Sequence, residues 1–278
     1  MTTHLIINAD DLGANLARDK GIFQAFEHGV VTSASILANG PSFLTAAQQA
    51  KALGLPLGVH LNLSEGNSLT GEIAGLTDTH GAFLGKQPLR DCLTAGQCKR
   101  DNVYRELSAQ IERVFEAGLT PDHLDSHQHF QLFGGMTTVL IELAREFDIG
   151  AMRTVLPADA AMNGGRDALG GELGLYRELG RQAHQSIIES RLKTTDGLWG
   201  MPLLNRLDAV SLRDLLQNVP PGRWELMTHP GYADANGGRF SGVEREVELQ
   251  ALTSPQVKAL LAKLKTRFCS YGELPCAY

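Results

Sequence analysis

No stretch of this sequence approaches the ~18 consecutive apolar residues that a membrane-spanning helix needs, and a transmembrane helix is excluded. There is no basic surplus either: 25 lysines and arginines stand against 31 aspartates and glutamates, a net charge of −6. A chain so balanced has little with which to neutralise a phosphate backbone or an anionic bilayer, which removes nucleic acid and membrane surfaces as partners. Cysteine is scarce. Cys92, Cys98, Cys269 and Cys276 include no C-x-x-C pair and lie apart from the histidine-rich stretches, so no closed structural zinc site is expected. The amino end, "MTTHLIINADD", lacks the basic start, apolar run and small-residue cleavage site of a secretory signal. It reads as a strand; the expected compartment is the cytoplasm, where free thiols are expected.

What the sequence does have is alternation. At 278 residues, 43% apolar and 20% charged, the chain suits one α/β barrel of ~250 residues. Strands are expected at "HLIINADD", "VVTSASILANG", "LPLGVHLNL", "TPDHLDSHQHF", "GAMRTVLP" and "GRWELMTHPGY". Between them fall helical patterns: "NLARDKGIFQAFEHG", "FLTAAQQAKALG", "KRDNVYRELSAQIERVFEAGL", "GGMTTVLIELAREFDI", a stretch around Glu178–Leu192, and "SPQVKALLAKLKTRF". Gly66 to Cys98 reads as loop. Strand–helix alternation with no run of strands alone predicts βα units on a parallel sheet. The expectation is a single domain over 1–278, barrel-like in preference to doubly wound, with a variable insertion at about 158–200. The apolar positions of the last helix leave a homodimer open.

The chemistry gathers where the expected strands end. The first ends in Asp10-Asp11, the third carries His60 and Asn62, and "HLDSHQH" carries Asp125, His127 and His129 at alternate positions, hence on one face if extended. Arg153 lies on the next strand and His229 on a late one. In parallel barrels the ligand site is built from this end of the strands. Imidazoles and carboxylates on rigid strands suit an open divalent-metal site with water in the remaining positions. A bound metal acidifies its water and polarises a carbonyl, a second carboxylate serves as base, and a further histidine protonates the leaving group. Adjacent residues at a strand end point apart, so Asp10 and Asp11 would divide this labour. Taken singly, the acidic pair would read as a helix cap and His60 as a hydrogen-bonded core histidine; the convergence argues for a site. The inventory suits hydrolysis of an amide or ester. Two alternatives stay open: a metal-dependent phosphoesterase, for which only Arg153 offers a basic residue near the site, and a non-catalytic sugar-binding barrel.

"NADDLG", "GVHLNL", "HLDSHQH", "MRTVLP" and "MTHPGY", in that order, resemble the YdjC-like carbohydrate deacetylases, which include chito-oligosaccharide deacetylases and hopanoid-associated members. "GVVTSASILANG", "TTDGLWGM" and "SYGEL" agree with them. Leu12 stands where the family usually has Phe, and Asn163–Gly174 matches no family motif. The resemblance implies a distorted TIM-like (β/α) barrel of the glycoside hydrolase/deacetylase type. It also implies deacetylation of an N-acetylated sugar, an amino-sugar oligosaccharide or glycolipid, with a divalent ion: magnesium first, with zinc or manganese as alternatives. By position, Asp11, His60 and His127 match the metal ligands, Asp10 the base and His229 the acid. Arg153 matches a residue that orients the base or binds substrate. Asp125, His129 and Asn39 are candidates for supporting the ligands or meeting the substrate.

Overall fold

The computed structural model describes residues 2–158, 169, 171–238 and 240–275. Its centre is a parallel sheet in the order β4-β3-β2-β1-β6-β5: β1 is Thr3–Leu12, β2 Ser33–Ile36, β3 Leu57–Leu61, β4 His123–Ser126, β5 Gly197–Trp199 and β6 Arg223–Thr228. A seventh strand, β7 (Thr266–Phe268), pairs with the start of β1. The sheet curls back on itself. Beyond β4, Met152 bridges to Leu124 while Ala151 bridges to Lys193 and Pro157 to Leu198 of β5, so the pairing runs round from β4 to β5 through this extended segment. The result is the expected α/β barrel, distorted where 150–158 stands in for a full strand.

The strands are apolar because both faces are covered: Leu5 to Leu12 of β1 are buried throughout. Helices α1 (Leu16–His28), α2 (Phe43–Leu53), α3 (Lys86–Thr94), α4 (Arg100–Glu116), α5 (Met136–Glu146), α6 (Glu172–Ser190), α7 (Ala209–Gln217), α8 (Glu244–Thr253) and α9 (Pro255–Leu261) surround them. Asn15 starts α1 by accepting from the Arg18 amide at 2.8 Å, and Gly54 ends α2 in the left-handed conformation. Val103, Leu107, Ile111 and Val114 of α4 are buried on one stripe, as their spacing predicts. At Gly21 any side chain would collide with the backbone of Gly231, a Cβ falling 2.4 Å from its Cα, and this close approach seats α1 against the turn that follows His229.

Several expectations are corrected. The Gly66–Cys98 stretch contains α3, which buries Leu89, Cys92 and Leu93; its short length and the glycines around it hide its period. The last helix is only Pro255–Leu261, because Thr266–Phe268 leaves it to pair with Thr3–Leu5. "GAMRTVLP" forms bridges, not a strand. Cys92 and Cys98 form a disulfide with Cα atoms 5.5 Å apart, a reach that C-x₅-C spacing does not advertise. Cys269 is free and buried; Cys276 and most of Asn163–Gly174 lie outside the described residues.

Candidate metal and catalytic site

In a regular strand Asp10 and Asp11 would face opposite sides of the sheet. The register of β1 against β2 shifts between Ala9 and Leu12, and Asp11 takes a positive φ of 68°. Such a bulge re-aims a side chain, and it brings Asp11 to the same cavity as Asp10. There Asp11 Oδ1 lies 3.0 Å from His127 Nδ1 and 3.5 Å from His60 Nε2, and the two imidazole nitrogens are 3.4 Å apart. Ligands bound at about 2.1 Å around a divalent ion are separated by about 3.0–3.4 Å, which is the triangle found here. Among the described residues none gives Asp11 Oδ1 a well-aligned hydrogen bond, although it is buried. Burial opposes ionisation of Asp11, yet His127, His60 and Arg18 hold its carboxyl well below the usual range. Burial would depress His60, but Asp125, Asp10 and Asp11 raise it to about 10, and Asp11 and Glu65 raise His127 to about 9. A cluster that attracts protons this strongly attracts a cation on the same grounds, so the donor set fits a divalent ion.

His60 is fixed from behind. In the β3–β4 register it sits opposite Asp125, whose Oδ1 lies 2.8 Å from His60 Nδ1, leaving Nε2 for the cluster. Asp10 is held differently: Arg153, fully buried, donates Nη1 to its Oδ2 at 2.8 Å and Nη2 to its Oδ1 at 2.7 Å. Burial pushes the Asp10 carboxyl up, and Arg153 with His60 outweighs it, so the group stays ionised. His229, just beyond β6, points Nε2 to within 3.9 Å of Asp10 Oδ2. Burial pushes its imidazole down to about 3 against the pull of Asp10 and Asp11, so at neutral pH it is uncharged.

His127 and His129 do not extend a strand face. β4 stops at Ser126, and a 3-10 turn over His127–Leu132 carries Gln128 and His129 at positive φ, 54° and 59°. The Ser126 hydroxyl braces this turn, donating to Gln131 Oε1 at 3.0 Å and accepting from the Gln131 amide at 3.1 Å. His129 still reaches the cavity, now through the turn. Asn39 does not; it accepts from Asn62 Nδ2 and donates to the carbonyls of Glu65 and Asn67, bracing the loop that carries Glu65.

Asp10, Asp11, His60, His127, His129 and His229 line one cavity of ≈ 340 Å³, within the range of small-molecule sites. Its other walls include Leu37, Met201, Leu204, Met227, Tyr176 and Phe240. Several functional neighbours escaped the sequence reading. Arg18 Nη1 meets Asp11 Oδ2 at 3.1 Å, and Glu65 Oε2 lies 3.4 Å from His127 Nε2. Glu225 takes Arg153 Nη2 at 2.5 Å. Asn8 was legible: it shares the Asp10 face at i, i+2 and donates to Asp10 Oδ1 at 2.7 Å. Arg18 reads as a helix surface charge, and Glu225 as one acid in an apolar strand.

A sequence model described as YdjC-like protein matches residues 4–263. A mouse protein named carbohydrate deacetylase is 33% identical, covering 97% of this chain and 94% of its own; a Geobacillus stearothermophilus protein of the same name is 31% identical, covering 98% of each. Among solved structures, a protein of Enterococcus faecalis V583, provisionally described as acting in cellobiose-phosphate cleavage, superposes with a TM-score of 0.76 at 26% identity over 98% of both chains. The match spans β1 to the residues before β7 and takes in every side chain of the cavity, and on it the chain belongs to the YdjC-like family.

Proposed function

We propose that this protein is a hydrolase that removes the acetyl group from an N-acetylated sugar, an amino-sugar oligosaccharide or glycolipid, giving acetate and the free amine. The observation that carries the reading is the convergence of Asp11, His60 and His127 donor atoms within 3.5 Å beside an Asp10 held ionised by Arg153. The name carbohydrate deacetylase shared by the mouse and Geobacillus relatives supports the substrate class.

In this reading Asp11, His60 and His127 hold a divalent ion, magnesium first with zinc or manganese as alternatives. Such an ion supplies positive charge that acidifies a water and polarises the acyl carbonyl. Asp10, fixed by Arg153, takes the proton of the attacking water. His229 starts neutral, so it must first gain a proton before it can give one to the departing amine; Asp10 Oδ2, 3.9 Å from its Nε2, is the nearby source. Phe240 sets its ring edge-on to His229 at 5.0 Å and lines the cavity, shielding this transfer from bulk water. Leu169 and Tyr176, from the 158–200 insertion of the single domain, line the cavity too, and this segment selects the sugar.

The phosphoesterase alternative finds no free cation among the basic residues described at the site: Arg153 is committed to Asp10, Asp125 and Glu225, and of the cavity-lining residues Arg18 is paired with Asp11 and Lys86 with Glu172. The test is acetate release from a panel of N-acetylated monosaccharides and chito-oligosaccharides, using chelator-stripped protein with and without magnesium or zinc, and His127→Ala as control. Metal-dependent acetate that the variant cannot produce is the expected result. Silence across the panel with restored metal would overturn the reading.

A further inference from the structure

Ser35 and Ser33 lie on the same face of β2, and both are fully buried. Among the described residues the Ser33 hydroxyl has no partner; the Ser35 hydroxyl has three. Asp125 Oδ2 and Asn8 Nδ2 each lie 2.9 Å from it, and His123 Nε2 lies at 3.2 Å. A hydroxyl has one proton and two lone pairs. The carboxylate takes the proton, the Asn8 amide fills one lone pair, and His123 Nε2 lies against the other.

Each arm leads somewhere. Through Asp125 the chain reaches His60 Nδ1 at 2.8 Å. Through Asn8 it reaches Asp10 Oδ1 at 2.7 Å. The third arm runs through His123, whose Nδ1 meets Asp122 Oδ1 at 2.7 Å while the Gly272 amide donates to Asp122 Oδ2 at 2.8 Å. The His123 ring is wedged in place, stacked on Tyr271 at 4.0 Å between centroids and pressed against Gly58, where a Cβ would fall 2.3 Å from its Cε1 and Nε2. One hydroxyl therefore joins the imidazole of the cation cluster, the base, and an anchor at the barrel wall.

Resting on the deacetylase reading above, we propose that Ser35 is a positioning residue for the reaction: its hydroxyl locks Asp125 behind His60 and Asn8 behind Asp10, so that cation ligand and base keep one relative placement. A buried hydroxyl is costly unless it is satisfied, and the Ser35 hydroxyl, unlike that of Ser33 on the same face, meets three polar partners.

The test compares Ser35→Ala, Ser35→Thr and His123→Phe with the wild type. Partners one step behind metal ligands typically change affinity or activity by about 10–100-fold when removed. Ser35→Ala is expected to weaken magnesium or zinc binding in calorimetry by that factor and to lower kcat similarly, with KM within about twofold. Ser35→Thr, which keeps the hydroxyl, is expected to recover most of both. His123→Phe keeps the ring stack and loses Nε2; its effect should not add to that of Ser35→Ala, because both act through one oxygen. Wild-type metal affinity and kcat in Ser35→Ala overturn the proposal. If Ser35→Ala does not fold, Ser35→Thr and His123→Phe decide it: wild-type metal affinity and kcat in His123→Phe overturn it equally. A wild type that binds metal but releases no acetate strikes the deacetylase reading, while the calorimetric comparison still judges Ser35.

Discussion

Arg153 grips Asp10 with both terminal nitrogens, Nη1 to Oδ2 at 2.8 Å and Nη2 to Oδ1 at 2.7 Å. The same guanidinium gives Nε to Glu225 at 2.9 Å and Nη1 to Asp125 at 2.6 Å. A guanidinium has five N–H donors in a rigid fork; here they bond Asp10 and Glu225 and form an ion pair with Asp125. Arg153 therefore belongs to the frame of the site and does not reach for substrate. It aims Asp10 and keeps it charged, while Glu225, where burial outweighs Arg153 and pushes the carboxyl up, is kept in place by Arg153 and the Tyr271 hydroxyl.

Arg153→Met should lower stability by about 3–5 kcal/mol, the usual result of stranding buried carboxylates. Arg153→Lys keeps a charge but replaces the fork with a single point. Its kcat should fall at least about 100-fold, with a smaller stability loss than Met, as read by urea unfolding and initial rates. A Lys variant with wild-type kcat would remove the orienting role.

Asp10→Asn keeps the shape of the side chain and removes its capacity to take a proton. Loss of a general base costs about 10²–10⁴ in rate, and turnover should fall into that range while bound metal, measured by elemental analysis, stays at the wild-type level. An active Asp10→Asn protein would sink the base assignment.

Most of the site could be read before the fold, because strand ends in a parallel barrel converge and Asp10, His60, Asp125 and His229 all sit at or near one, while Arg153 follows the bridge that Met152 makes to β4. His127 and His129 reach the same cavity by another route. Alternation predicts one extended face, yet the strand ends at Ser126 and the left-handed Gln128–His129 pair does the aiming. Nor does sequence periodicity reveal the bulge that turns Asp11 inward, since Asp11 at φ 68° is a tertiary outcome. Helix α7 did carry a local sign, Asp208 and Ser211 forming a capping box, whereas α3 is too short and too flanked by glycine to announce itself.

The stability of the fold should depend on pH through Asp19. Burial raises its carboxyl to about 6 against the Ser42 hydroxyl, the Gly13 amide and Arg18. The folded state thus holds this proton more tightly than the unfolded chain. The stabilisation is complete below about pH 4 and is lost as pH rises through 6, by up to about 3 kcal/mol. Asp19→Asn cannot ionise and keeps an acceptor for the Gly13 amide, which bonds Asp19 Oδ1 at 2.6 Å. In urea unfolding, the wild type should therefore lose stability relative to Asp19→Asn between pH 4 and pH 7. Parallel curves would show that Asp19 ionises freely in the folded protein.

His129 should prove to be a substrate contact. Its ring is buried, lines the cavity and leaves Nδ1 without a partner among the described residues; burial and Arg153 push it down to about 3, so it is a neutral imidazole able to donate at one nitrogen and accept at the other. Two consecutive left-handed residues, neither a glycine, cost of order 1–3 kcal/mol each, and the Ser126–Gln131 brace maintains them. Strain and an unpartnered nitrogen are together an expensive way to fill space, and a sugar hydroxyl in the cavity would satisfy the ring. A neutral hydrogen bond is worth about 0.5–1.5 kcal/mol, so His129→Ala should raise KM roughly tenfold with kcat within about threefold, and His129→Gln should recover part of the loss. Metal affinity should not move. A variant that loses metal and keeps its KM would instead place His129 behind the ligands, as a support for His127.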